Sequence, residues 1–212
     1  MPDPLIGFLK NRMDVLRLLG RIWQLLYIEG VAPDVGKRRE NAIRLLLKEE
    51  LGLDVNMAPE MERGWDFSIR FGADEVKYSL KTSEEIGVIK VAWNGFPSRE
   101  RVERFTFENP ILYVVRDKES NRISVCVFEL DDLETVRNEK QIQVWWIPRS
   151  NTNPRGFGLS RRAVKELMRK AQIKGNFVFT EYESIPVESL REKYWKKWYE
   201  LLKELASTID GK

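Results

Sequence analysis

Two consecutive segments each carry a charged side chain that could take part in catalysis, a carboxylate in the first and an ammonium in the second. Asp66 belongs to residues 65–71 and Lys81 to residues 75–83, and in both segments apolar and polar side chains alternate. Such alternation predicts two β-strands, each with a buried and a polar face, joined as a hairpin. A carboxylate and an ammonium held side by side on a sheet can position a divalent metal and a water beside a phosphodiester.

The register of this hairpin depends on where its turn falls. A turn centred on Ala73-Asp74 pairs Gly72 with Glu75 and sets Asp66 directly across from Lys81. Cβ atoms of directly opposed residues are about 5 Å apart. This register therefore predicts that the carboxylate and the ammonium lie in contact on one face.

A second lysine competes for the same role. Glu75-Val76-Lys77 begins nine residues after Asp66 and also combines a carboxylate with a lysine. In the register above, Lys77 faces Arg70 near the turn, and it then belongs to a solvated hairpin tip. We therefore favour Lys81 and keep Lys77 as the alternative.

The composition removes several kinds of chemistry. The 212 residues include no histidine and a single cysteine, Cys126. Ser-His-Asp triads and HExxH metal sites are excluded, as are an intramolecular disulfide and a thiolate zinc cluster. The net charge of +3 is too small to indicate a nucleic-acid partner by itself. Any catalysis must use carboxylates, lysine, hydroxyls or a bound metal.

Helical and strand patterns interleave along the chain, which predicts a mixed α/β fold in a single domain of residues 1–212. Neither a membrane-spanning run nor a signal peptide is present, so we expect a cytoplasmic protein. The predicted helices are 11–29, 37–51, a short one from 98, 131–136, 160–171 and 187–205; the further predicted strands are 87–93, 111–115, 123–130, 141–147 and 177–182.

Glu40 lies in the second predicted helix and shares a face with Ile43 and Leu47, three and seven residues later. It either supplies a second carboxylate to the hairpin or only stabilises the start of its helix through the helix dipole.

Glu40, Asp66 and the run Ser79-Leu80-Lys81-Thr82-Ser83 together resemble the PD-(D/E)XK nuclease superfamily, in its restriction-endonuclease branch. The run is similar to the type II variant in which serine replaces the acidic residue two before the lysine. The resemblance covers residues 36–116, and Trp65 departs from the family's usual proline. It implies a restriction-endonuclease-like core, with a central mixed β-sheet flanked by helices.

The resemblance further implies a Mg²⁺-dependent, sequence-specific endonuclease acting on double-stranded DNA. Asp66, the Leu80 backbone carbonyl and Glu40 would hold Mg²⁺, and Lys81 would orient the attacking water and stabilise phosphoryl charge. Ser79 either hydrogen-bonds a metal-bound water or is a sheet-face hydroxyl without a task.

Arginine and amide side chains that could read bases cluster in the polar segment 148–158. This segment is expected to contact DNA, although an ordinary polar connection fits it too. Basic residues at the starts of two helices would contact phosphates, or simply be solvated. The candidate DNA-binding residues are Lys37, Arg38, Arg39, Arg149, Asn151, Asn153, Arg155, Arg161 and Arg162.

Residues 140–212 are expected to supply DNA recognition and dimerisation, because cutting both strands of a palindrome needs two sites related by a twofold axis. The aromatic-rich helix 187–205 either packs on the core or forms that dimer interface. A companion DNA methyltransferase is expected on functional grounds. The alternatives are a structure-selective nuclease such as a junction resolvase, a DNA-binding protein that does not cut, and a mere Asp66–Lys81 ion pair.

Overall fold

The structure is a computed structural model that describes residues 2–26, 35–59, 62, 64–92, 99–139 and 156–210. Seven helices and eight strands lie in these ranges, and the predicted mixed α/β class is confirmed. The helices are α1 (Pro4–Asn11), α2 (Met13–Leu25), α3 (Val35–Glu49), α4 (Arg99–Glu103), α5 (Leu130–Asn138), α6 (Arg161–Ile173) and α7 (Val187–Asp210). The strands are β1 (Asp54–Met57), β2 (Phe67–Phe71), β3 (Asp74–Ser83), β4 (Ile89–Ala92), β5 (Ile111–Asp117), β6 (Arg122–Phe128), β7 (Phe157–Leu159) and β8 (Phe177–Glu181).

A six-stranded mixed sheet in the order β1-β2-β3-β5-β6-β8 forms the centre of the fold. β3 and β5 run parallel, and the other neighbouring pairs in this sheet are antiparallel. β4 and β7 form a separate antiparallel pair. Because β3 has a neighbour on each side, its backbone is held in place along most of its length.

Helices cover both faces of the central sheet and create two apolar cores. On one face, α1, α2 and α3 pack against Tyr78 and Leu80 of β3 and against alternate residues of β5 and β6. On the other face, α5, α6 and β4 pack against Tyr113 and Phe128. Burial on both faces explains why β5 and β6 read as nearly continuous apolar runs.

Several elements differ from the sequence-based expectations. The predicted helix 11–29 begins only at Met13, and α1 precedes it, started by Asp3 as N-cap and Pro4 at the first turn. β1 and β7 were not predicted, because β1 is short and largely exposed and β7 has three residues with a central glycine. The predicted strand 141–147 lies outside the described residues. Across the described ranges, no helix has the length and apolar character needed to cross a membrane.

Candidate functional site

The β2–β3 hairpin has a register that differs from the predicted one. Phe71 pairs with Asp74 and Arg70 with Glu75, so the two-residue turn is Gly72-Ala73. Gly72 has a φ of 65°, and glycine at the first turn position suits this left-handed backbone conformation. The predicted turn at Ala73-Asp74 was therefore wrong by one residue.

This shift also removes the predicted cross-strand pair of Asp66 with Lys81. Regular pairing ends at Phe67 opposite Tyr78, and the Asp66 backbone N–H donates to the Tyr78 carbonyl at 2.8 Å. The chain bends at Asp66 just before β2 begins. Asp66 thus stands at the end of the paired region rather than within it.

From this position the Asp66 side chain reaches along β3. Its Oδ2 accepts a hydrogen bond from the Leu80 backbone N–H at 2.5 Å and one from the Ser79 hydroxyl at 3.4 Å. The Lys81 Nζ lies 3.6 Å from the same oxygen. The expected proximity of Asp66 and Lys81 is present, but the side chains achieve it diagonally.

The Leu80 carbonyl points toward the same side as Asp66. The Ser79 N–H points to the β5 side of β3 and donates to the Pro110 carbonyl at 2.9 Å, whereas the next N–H, that of Leu80, donates to Asp66. Backbone groups of successive residues in an extended strand alternate between its two sides, so the Leu80 carbonyl follows its own N–H. It is directed to the side of β3 that is left unpaired beyond Phe67 of β2, where the Asp66 carboxylate lies.

Glu40, in the first half of α3, is a second carboxylate whose charge interacts with those of Asp66 and Lys81. Burial raises the pKa of Glu40 above its ordinary value, and the Asp66 carboxylate adds to the increase. Lys81 and Lys37 oppose it with their positive charge. Two carboxylates close enough to repel each other, one of them partly desolvated, form an environment that favours a cation.

Oxygen donors of this kind are the ligands that Mg²⁺ prefers. No group of three or more His, Cys, Asp or Glu side chains placed to hold a metal exists in the described part of the chain. The candidate ligands are fewer side chains and one backbone group: the carboxylates of Asp66 and Glu40 and the Leu80 carbonyl.

The competing lysine is placed elsewhere. Lys77 pairs with Ser68 across the hairpin, and its Nζ lies 4.7 Å from the ring centroid of Trp65. Glu75 accepts a hydrogen bond from the Ser68 hydroxyl at 2.6 Å. Their geometry favours Lys81 as the lysine of the site.

Arg39 corrects an expectation for the basic run 37–39. It was expected to contact DNA phosphate, but its side chain is only 10% exposed and turns inward. It lies 3.0 Å from the Glu84 carboxylate and 5.0 Å from the centroid of Trp23. Burial lowers the pKa of Arg39, an effect that Glu84 opposes and Arg116 increases. Lys37 and Arg38 remain exposed on α3.

Glu84 is the centre of a largely buried charged cluster that the sequence analysis did not identify. Besides Arg39, its carboxylate contacts the indole N–H of Trp23 and lies 3.3 Å from Arg116. The Arg116 Nε donates to the Tyr182 hydroxyl at 2.6 Å. The only sequence signal was a charged residue inside the apolar β5 run. The cluster joins α2, α3, β5 and the end of β3, three residues after Lys81.

The remaining candidate DNA contacts divide into two groups. Arg149, Asn151, Asn153 and Arg155 lie outside the described residues. Arg161 and Arg162 are exposed in the first turn of α6. They line a shallow surface cavity of about 610 Å³, together with Lys165, Glu166 and Arg169, none of which was predicted. Arg169 is paired with Glu166 at 2.7 Å.

Comparison with known proteins identifies the fold. No family model matches the sequence, and neither does any curated protein. A solved structure described as "Restriction endonuclease in complex with substrate DNA" is similar to this chain with a TM-score of 0.67. The similarity covers 95% of this chain and 100% of that one, at 23% sequence identity. The chain therefore has a restriction-endonuclease-like fold, as the resemblance implied.

Proposed function

We propose that this protein is a Mg²⁺-dependent, sequence-specific endonuclease that hydrolyses double-stranded DNA. The convergence of Glu40, Asp66, the Leu80 carbonyl and Lys81 at the end of β2 carries this proposal. The fold shared with a restriction endonuclease supports it.

The donor set fits a divalent cation. Asp66, Glu40 and the Leu80 carbonyl would hold Mg²⁺, because they offer hard oxygen ligands and two carboxylates that need a counter-charge. When bound, Mg²⁺ would polarise the scissile phosphate and lower the pKa of a bound water.

The side chains of the protein would then position the reactants. Lys81 presents a compact ammonium that orients the attacking water and stabilises the charge that grows on the phosphoryl oxygens. The hydrogen bonds from Leu80 and Ser79 hold the Asp66 carboxylate in one orientation. Ser79 can also hydrogen-bond a water in the coordination shell.

DNA would be held mainly through its phosphates. Lys37 and Arg38 lie beside Glu40, and Arg161, Arg162 and Lys165 form a basic surface on α6. Contacts of this kind position the duplex, whereas base contacts specify its sequence. We assign base reading to the Arg and Asn side chains of residues 148–158.

The biological setting follows from this activity. Two copies would act together on a symmetric site. A companion methyltransferase would protect the cell's own DNA, and both proteins would work in the cytoplasm.

The test is digestion of a plasmid of known sequence with Mg²⁺, with Ca²⁺ and without metal. We expect discrete fragments in the reaction with Mg²⁺ and none in the reactions with Ca²⁺ or without metal. Lys81→Ala should lower the cleavage rate by about 100-fold or more, as loss of a group that stabilises transition-state charge does. Lys77→Ala, the matched control in the same strand, should cut normally.

Other outcomes would reject the proposal in defined ways. Cleavage confined to branched substrates would indicate a structure-selective nuclease. A folded protein that binds several large DNAs and cuts none would indicate a non-catalytic binder. Loss of cleavage in Lys77→Ala but not in Lys81→Ala would overturn the assignment of the lysine.

A further inference from the structure

Helix α7 carries large apolar side chains on its surface. Every side chain from 191 to 206 is exposed. The exposed fractions of the large apolar residues range from 42% to 57%, and these residues are Tyr194, Trp195, Trp198, Tyr199, Leu201, Leu202 and Leu205. A continuous apolar surface of this kind marks an interaction site.

The spacing of these residues is that of a helix pair. Tyr194, Trp198, Leu201 and Leu205 follow one another at intervals of four, three and four residues, so they form a single stripe. Trp195 and Leu202 border this stripe on one side. On the other side, Lys197 and Glu204 occupy equivalent positions one heptad apart.

Charge is distributed unevenly along α7. Its first half is predominantly basic and its second half predominantly acidic. The first half contains Arg191, Lys193, Lys196 and Lys197 with Glu188 and Glu192, and the second contains Glu200 and Glu204 with Lys203. A second copy of α7 in antiparallel orientation would place each basic half against an acidic half. A parallel copy would bring like charges together.

We propose that α7 is a homodimer interface in which two copies pack antiparallel about a twofold axis. The stripes of the two helices face each other, and Trp195 packs against the partner subunit's Leu202. Lys197 faces the partner subunit's Glu204, and the twofold axis repeats this ion pair. This interface would give the proposed endonuclease its second catalytic centre, but the inference concerns association and is tested without DNA or Mg²⁺.

The experiment measures the molar mass of the full chain by analytical ultracentrifugation over a range of concentrations. We expect a species of about twice the 25.0 kDa of the chain. Replacing Trp198 and Leu201 together with glutamate should give a monomer. Circular dichroism on the same samples verifies that the variant retains its helical content.

Charge reversal tests the orientation. Lys197→Glu and Glu204→Lys should each raise the dimer dissociation constant by about tenfold, since the twofold axis repeats each repulsion. The double variant should recover the dimer because the ion pairs re-form with exchanged partners. Lys196→Glu is the matched control, since it makes the same change on the opposite side of the helix and should leave the mass unchanged.

A wild-type monomer at every concentration would overturn the proposal. So would a dimer that survives the Trp198 and Leu201 substitutions. Failure of the double charge reversal to recover the dimer would overturn the antiparallel arrangement. A monomer that co-sediments with anionic phospholipid vesicles would assign the apolar stripe to a membrane surface instead. None of these results depends on whether the chain cuts DNA.

Discussion

The Asp66 carboxylate accepts a hydrogen bond from the backbone N–H of Leu80, with 2.5 Å between Oδ2 and the nitrogen. The carbonyl of the same residue points to the same unpaired side of β3. One backbone unit therefore fixes a carboxylate and offers a second oxygen beside it. A ligand pair held in this way loses little conformational freedom when it binds a cation.

Asp66→Asn should lower the affinity for Ca²⁺ or Mg²⁺ by about 100-fold. Removing a group that only hydrogen-bonds a metal ligand already lowers metal affinity by about 10- to 100-fold, so loss of a ligand's charge should reach the upper end of that range. The substitution keeps the shape of the side chain and removes its charge. Isothermal titration calorimetry with Ca²⁺ measures the effect without DNA cleavage. Asp74→Asn, at the exposed start of β3, is the control; equal affinity in all three proteins would exclude Asp66 as a ligand.

Glu84→Gln should destabilise the protein by about 3 kcal/mol, because removing one partner of a buried ion pair leaves uncompensated charge. Here Arg39 and Arg116 would lose their common carboxylate. Urea denaturation measures the free energy of unfolding. The neighbouring Glu85 is exposed, so Glu85→Gln should change the free energy of unfolding little. Equal free energies of unfolding for the two variants would show that the buried ion pairs of Glu84 do not stabilise the fold.

Gly20→Ala should destabilise the protein by about 1–3 kcal/mol through overpacking. A Cβ at Gly20 in α2 would collide with the ring of Tyr182, whose hydroxyl holds Arg116. Gly7 in α1 is the matched helical control, since a Cβ there meets nothing within 4 Å. Gly7→Ala should stabilise by about 0.5–1 kcal/mol, because alanine restricts the unfolded chain. Thermal unfolding of both variants compares them directly.

The partly buried N-cap residue of α1, Asp3, should make the stability depend on pH. Burial raises the pKa of Asp3, although hydrogen bonds from Tyr78 and Leu5 oppose the shift. The folded state then holds its proton more tightly than the unfolded state, whose pKa is near 3.8. This contribution to stability is complete below the unfolded pKa and is lost as the pH rises through the folded value.

Asp3→Asn keeps an acceptor oxygen at the cap and removes the titration. As the pH rises from 3.5 to 7, the free energy of unfolding of the variant should increase relative to that of the wild type. Chemical denaturation at a series of pH values tests this. A difference that stays constant, or moves in favour of wild type, would show that the pKa of Asp3 is not raised.

The sequence by itself determined the strands of the hairpin and much of what faces the core. Phe67, Ile69, Tyr78 and Leu80 alternate with polar residues, and all four are buried. Alternation is a local property, since successive side chains of a strand point to opposite faces. It was sufficient to bring Asp66 and Lys81 to the same end of the hairpin.

Only the tertiary structure decided the register and the use of individual charges. Gly72 adopts a left-handed conformation, and the turn lies one residue earlier than predicted. The chain bends at Asp66, so its carboxylate accepts a hydrogen bond from the Leu80 backbone N–H instead of lying directly opposite Lys81. Arg39 turned inward because Glu84, far away in the sequence, lies against the same helix. Such contacts join residues distant along the chain, and periodicity within a segment carries no information about them.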